Sequence, residues 1–202
     1  MDKQTNQPAK PARPLSLGAL TLCAFMATPV FAADRLIAQY ERWKVYEGDD
    51  IAGGRVCYAQ SQPVDFAPKE PGQGDVSVQI SNWPKAAVLE QPSFTGVRDL
   101  HRIAKPRFQT GNVSLLGFAD GKDVFLGQAS QESQLVAAMR KGDELRVVAV
   151  DADGQPIAYY FSLSGVSAAL RQARASCGFP ALVEPRAAPV KKRAPARKKR
   201  RR

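Results

Sequence analysis

The residues able to do chemistry in this chain are few: one histidine, three cysteines, an Asp-x-Asp pair, a Ser-x-Ser-Gly turn and a terminal run of Lys and Arg. Acyl transfer would need a nucleophile, a base and an orienting group brought together. His101 is the sole imidazole, and neither a Gly-x-Ser-x-Gly elbow nor a phosphate-cradling glycine loop accompanies it. Its neighbours Arg98, Arg102, Lys105 and Arg107 suit an anion-binding loop or a solvated one, and the solvated loop is the simpler reading. Ser162 and Ser164, before Gly165, look like nucleophiles only superficially and read better as helix caps. Asp151 and Asp153 bring calcium to mind, but the later acidic ligand of a twelve-residue calcium loop is missing, so they read as a turn. Two cysteines and a lone histidine lack ligand-pair spacing, so neither metal nor cofactor is expected, and a non-enzyme is.

The formal net charge of +10 is unevenly spread. Residues 185–202 hold ten Lys and Arg and no acid, which leaves 19 basic residues to balance the 19 acidic ones elsewhere. A basic nucleic-acid-binding domain is excluded by that balance; a basic tail is not. The tail mixes Pro and Ala with Arg186, Lys191, Lys192, Arg193, Arg197, Lys198, Lys199, Arg200, Arg201 and Arg202, and Val190 is its only branched apolar residue. It cannot bury a core and is expected to be disordered and to attract polyanions.

The first residues have the layout of a secretory signal. Lys3, Lys10 and Arg13 precede an apolar run from Leu15 to Ala27, and Val30 and Ala32 then occupy the −3 and −1 places of a cut between Ala32 and Ala33. About 16 mostly apolar residues fall short of the roughly 20 that span a bilayer. Leu22 before Cys23 argues against a lipoprotein signal, so Cys23 is expected to leave with residues 1–32. Export would put Cys57 and Cys177 in an oxidising compartment, where they have one connectivity, a disulfide; two buried free thiols are the alternative.

The elements that must position these residues are mostly strands. Trp43-Lys44-Val45, Arg55 to Gln60, and Val76, Val78 and Ile80 alternating with polar neighbours predict three of them. Pro68 to Gly74 reads as an exposed loop, and Pro84, Pro92 and Pro106 break the stretch from Trp83 to Gly111 so that only Ser93 to Val97 offers an edge strand. Asn112–Phe118 and Asp123–Leu126 make a hairpin across Asp120-Gly121, and Leu145–Val150 and Ile157–Phe161 make another across Asp151 to Gly154. Ser130 is the expected N-cap of a helix carrying Leu135, Val136 and Met139 and closed by Gly142; Ser162 or Ser164 caps a second, whose Val166, Leu170 and Ala173 face the core. The sum is a mainly β chain: a sandwich-like single domain over 33–184, with two short helices and one disulfide.

Four segments resemble the invasion-associated locus B family of bacterial exported proteins. They are Cys57-Tyr58-Ala59-Gln60-Ser61-Gln62-Pro63, Ser81-Asn82-Trp83-Pro84, Leu135 to Gly142 and Phe161 to Leu170, and the likeness covers Trp43 to Cys177. The resemblance implies a periplasmic or envelope-associated β-rich domain, linked to host-cell invasion in pathogenic members, with no enzyme activity and no cofactor. Residues 85–111, rich in proline and cations, depart from the family pattern. The tail's expected partner is then an anionic envelope surface: lipid head groups, lipopolysaccharide or peptidoglycan. The alternatives are a solubilising tail with no fixed partner and a nucleic-acid-associated protein that uses the tail as a basic arm.

Overall fold

The computed structural model describes residues 34–50, 52–69 and 75–180. The signal segment, its Ala32–Ala33 cut and the basic tail lie outside the described residues, as does part of the Pro68 to Gly74 loop.

Two antiparallel sheets form the body. The larger contains β1 (Arg35–Tyr40), β2 (Trp43–Asp49), β3 (Arg55–Ser61), β5 (Ser77–Trp83), β6 (Val88–Thr95), β9 (Phe118–Asp120) and β10 (Asp123–Phe125), in the order β1-β2-β3-β5-β6-β10-β9. The smaller has β4 (Asp65–Ala67), β7 (Arg107–Thr110), β8 (Val113–Leu116), β11 (Glu144–Val150) and β12 (Pro156–Ser162), in the order β4-β12-β11-β7-β8. Alternation places the apolar side chains between them. Trp43, Val45, Ala59, Val78, Ile80 and Phe94 come from one sheet and Phe108, Leu145, Val147, Tyr159 and Phe161 from the other. Phe94 is the pivot of the contact, with ring centroids 5.2 Å from Tyr159 and 6.2 Å, edge-on, from Phe161. The predicted sandwich-like, mainly β fold is the observed one.

Helix α2 (Val166–Ser176) packs on the larger sheet, burying Val166, Ala169, Leu170 and Ala173 beside β2 and β3. The buried Trp43 ties the layers together by donating its indole N–H to the Ser162 carbonyl at 3.0 Å. Helix α1 (Ala129–Met139) packs beside β6 and buries Leu135, Val136 and Met139, as its apolar stripe predicts.

Four local expectations are corrected. Ser93 to Val97 is no edge: its strand is β6, an inner member between β5 and β10. Pro92 is tolerated there because β10 pairs with β6 only over Ser93 to Thr95, leaving the proline beyond that ladder. Ser130 does not cap α1; Gln128 takes the N-cap position without a side-chain bond. Neither Ser162 nor Ser164 caps α2, since Gly165 occupies that place at φ +89 without a side-chain bond and the Ser162 hydroxyl accepts the Ser164 N–H. The run 112–118 is also not one strand. It divides at Gly117, with β8 in the smaller sheet and β9 in the larger. A Cβ at Gly117 would lie 2.5 Å from the Phe125 carbonyl oxygen, so only glycine allows the chain to pass between layers there.

Gly165 is under the same constraint. Its φ disfavours any side chain, and a Cβ would come within 2.2 Å of the Tyr40 carbonyl oxygen. Gly165→Ala should therefore cost at least about 2 kcal/mol in a thermal or urea melt. A loss below about 0.5 kcal/mol would mean that α2 does not seat against the end of β1.

Candidate functional site

Cys57 and Cys177 are joined by a disulfide, with Cα atoms 5.7 Å apart and a sequence separation of 120. Cys57 is fully buried in β3, and Cys177 is the C-cap residue of α2. The pairing is thus as expected. The family-like segments, distant in sequence, meet around it. Asn82, fully buried at a register shift in β5, donates its amide to the Cys57 carbonyl at 3.2 Å and accepts the Glu90 N–H at 3.1 Å. Glu90 sits at φ +51, a left-handed conformation costly for a residue with a side chain. Its carboxylate holds Arg140 at 2.5 Å, with both side chains at most 15% exposed. The Arg140 carbonyl in turn accepts the Ser167 hydroxyl at 3.4 Å. One residue from each segment (Cys57, Asn82, Arg140, Ser167) thus belongs to a single latch between sheet and helices.

Of the other predicted chemical residues, His101 and Asp151 make local bonds to backbone N–H groups. His101 Nδ1 accepts the N–H groups of Ile103 and Ala104, at 3.3 and 3.2 Å. Its loop is not simply solvated: Leu100 is buried, bridges to Asp151, and donates its N–H to the Gly121 carbonyl. Arg102, Ile103 and Lys105 remain exposed. Asp151 folds its own turn, as expected, through Oδ1 bonds from the Asp153 and Gln155 N–H groups at 3.1 and 2.8 Å. Among the described residues no group of three or more His, Cys, Asp and Glu is placed to hold a metal ion.

The concavities among the described residues include three, two of which adjoin at Thr110, Lys141 and Gly142. One, of about 350 Å³, lies between the β7–β8 turn and the end of α1 and is lined by Thr110, Asn112, Gln134 and Lys141 among others. The Thr110 hydroxyl is buried there without a hydrogen-bond partner, beneath Gly142, whose missing Cβ would lie 2.6 Å from it. Gly142 is needed at the end of α1 for this approach.

Another is a groove of about 480 Å³ at one end of the larger sheet's outer face, where Gln39, Arg42, Lys44, Tyr46, Gln60 and Gln62 converge. Register puts Gln39, Lys44, Gln60 and Gln79 in one row across four strands. Tyr46 and Tyr58 occupy the next row, stacked with centroids 5.2 Å apart. The Tyr58 hydroxyl donates to Asp34 at 2.6 Å, and burial together with that bond pushes its phenol well above the usual tyrosine range. Farther along the edge Arg35, with Arg55 beside it, holds the Glu47 carboxyl below its ordinary range. Sequence reading missed this groove, since its polar residues are individually ordinary and only strand register collects them.

Comparison with protein-family models, with curated proteins and with solved structures returns no match.

Proposed function

We propose that the chain is an exported, non-enzymatic envelope protein of the kind its four family-like segments suggest, held to anionic envelope surfaces by its basic tail. The observation that carries this reading is the Cys57–Cys177 disulfide. A bridge built into a buried core is kept in periplasmic or extracellular conditions and is rare where cytosolic thiols are reduced. The apolar N-terminal run and the neutral body with a cationic end support the same reading. Each Lys or Arg near an anionic surface contributes about 1 kcal/mol before salt screening, so ten suffice for a salt-sensitive tether.

Fractionation of cells expressing the full chain and a version ending at Glu184 tests the tether. The full chain should stay with the envelope at low salt and leave at high salt, while the shortened one should be released at low salt. Equal release at low salt overturns tethering. The mature N-terminus should be Ala33; an uncut chain in the cytosol would overturn export and favour the nucleic-acid arm.

A further inference from the structure

The groove on the outer face has a chemistry of its own. Three amides, Gln39, Gln60 and Gln62, line it, and each carries both donors and acceptors, which matches hydroxyl groups that also do both. Gln60 gives an amide N–H to Ser77 at 3.0 Å, and Gln79, next in the row beyond the groove, gives one to Ser81 at 2.7 Å, which fixes each side chain and leaves its carbonyl oxygen able to accept a further hydroxyl. Gln39 is oriented in the same manner, through a 3.2 Å bond to the Glu41 carbonyl. Tyr46 offers a ring that is already immobilised by Tyr58, and Tyr58 by Asp34, so little side-chain freedom is left to lose on binding. Arg42 and Lys44 outnumber Glu41, so the lining carries one net positive charge.

Strand spacing adds a geometric match. Gln39, Lys44, Gln60 and Gln79 recur once per strand, roughly every 4.8 Å, close to the advance of one pyranose unit along an extended glycan. A lipid tail would find too little apolar lining here, and a nucleic acid backbone too few cations.

We propose that this groove binds an acidic glycan. Sugar hydroxyls bond to the amides of Gln39, Gln60 and Gln62, a pyranose face lies on Tyr46, and a carboxylate or phosphate meets Lys44 and Arg42. The inference deepens the envelope reading, on which it rests only for where such a glycan is encountered. Because binding is measured in solution, it stands or fails apart from export and tethering.

The test is titration of the isotopically labelled full chain, followed by backbone-amide NMR. Three probes are used: a peptidoglycan disaccharide bearing its lactyl carboxylate, a phosphorylated lipopolysaccharide core oligosaccharide, and a neutral chito-oligosaccharide. Shifts are expected at Lys44, Tyr46 and Gln60 with at least one acidic probe, and the tighter acidic probe names the source. Tyr46→Ala should weaken binding about fivefold to tenfold. Lys44→Gln should bring the acidic probe down to the affinity of the neutral one. Should Tyr46→Ala disturb the fold, the exposed Gln39→Ala, expected to weaken binding severalfold, takes its place. Shifts confined to the tail, no shifts with any probe, or affinities unchanged by Lys44→Gln and by the Tyr46 or Gln39 variant would each overturn the proposal.

Discussion

Replacing Cys57 and Cys177 together with alanine is expected to lower the unfolding free energy by about 3–5 kcal/mol. The bridge closes a loop set by a sequence separation of 120, for which unfolded-chain entropy gives about 5 kcal/mol, and measured values tend to fall below that estimate. Alanine leaves little polar surface in a site where Cys57 is fully buried and Cys177 is 7% exposed. Urea unfolding followed by tryptophan fluorescence reports the loss, because Trp43 is buried in the core. Marginal stability makes such a deficit a large fraction of the whole. If the double variant unfolds within 1 kcal/mol of the parent (a small difference on that scale), the core holds without covalent help and the bridge loses its place as the main restraint.

Removing either half of the Glu90–Arg140 pair should cost about 3 kcal/mol. Both side chains are largely buried, so Arg140→Ala leaves an uncompensated carboxylate and Glu90→Ala an uncompensated guanidinium. The combined variant should lose clearly less than the sum of the two, and a double-mutant cycle from urea melts reads that coupling. The backbone supplies a second check. Glu90 sits at φ +51, so Glu90→Gly loses the same ion pair while relieving a strain of about 1 kcal/mol and should be less damaging than Glu90→Ala. Additive single losses would show the pair to be uncoupled; a glycine variant no better than alanine would show Glu90 unstrained.

Much of this fold could be read directly where alternation is strict. Leu145, Val147 and Ala149 face inward with Arg146 outward, and the hairpin turn after them carries the Asp and Gly it needs. Val78, Ile80 and the stripe on α2 were equally plain. The β6 strand was obscured because Glu90, Gln91 and Pro92 interrupt its apolar pattern, and each has a tertiary reason invisible locally: a buried ion pair, a bond to Glu132 on α1, and the end of the β10 ladder. Capping was misjudged at both helices because Ser is a good N-cap in general, whereas here the approach of β1 demanded glycine at α2. The cysteine pairing was expected on the condition that Cys23 leaves with the signal segment, with two free thiols as the alternative, and the bridge is the one found. The outer groove was not expected, since Gln39, Lys44 and Gln60 belong to three strands whose register no short window records.

The disulfide also decides how the molecule carries force. Cys177 closes the last helix, and everything beyond it in sequence is attached covalently to β3 through Cys57. A pull on the C-terminal chain therefore bypasses α2, which would otherwise peel off one turn at a time. The load arrives in the larger sheet at a strand paired on both sides, held by antiparallel ladders to β2 and β5. Load on that end thus reaches a central strand of the larger sheet before it reaches the helix.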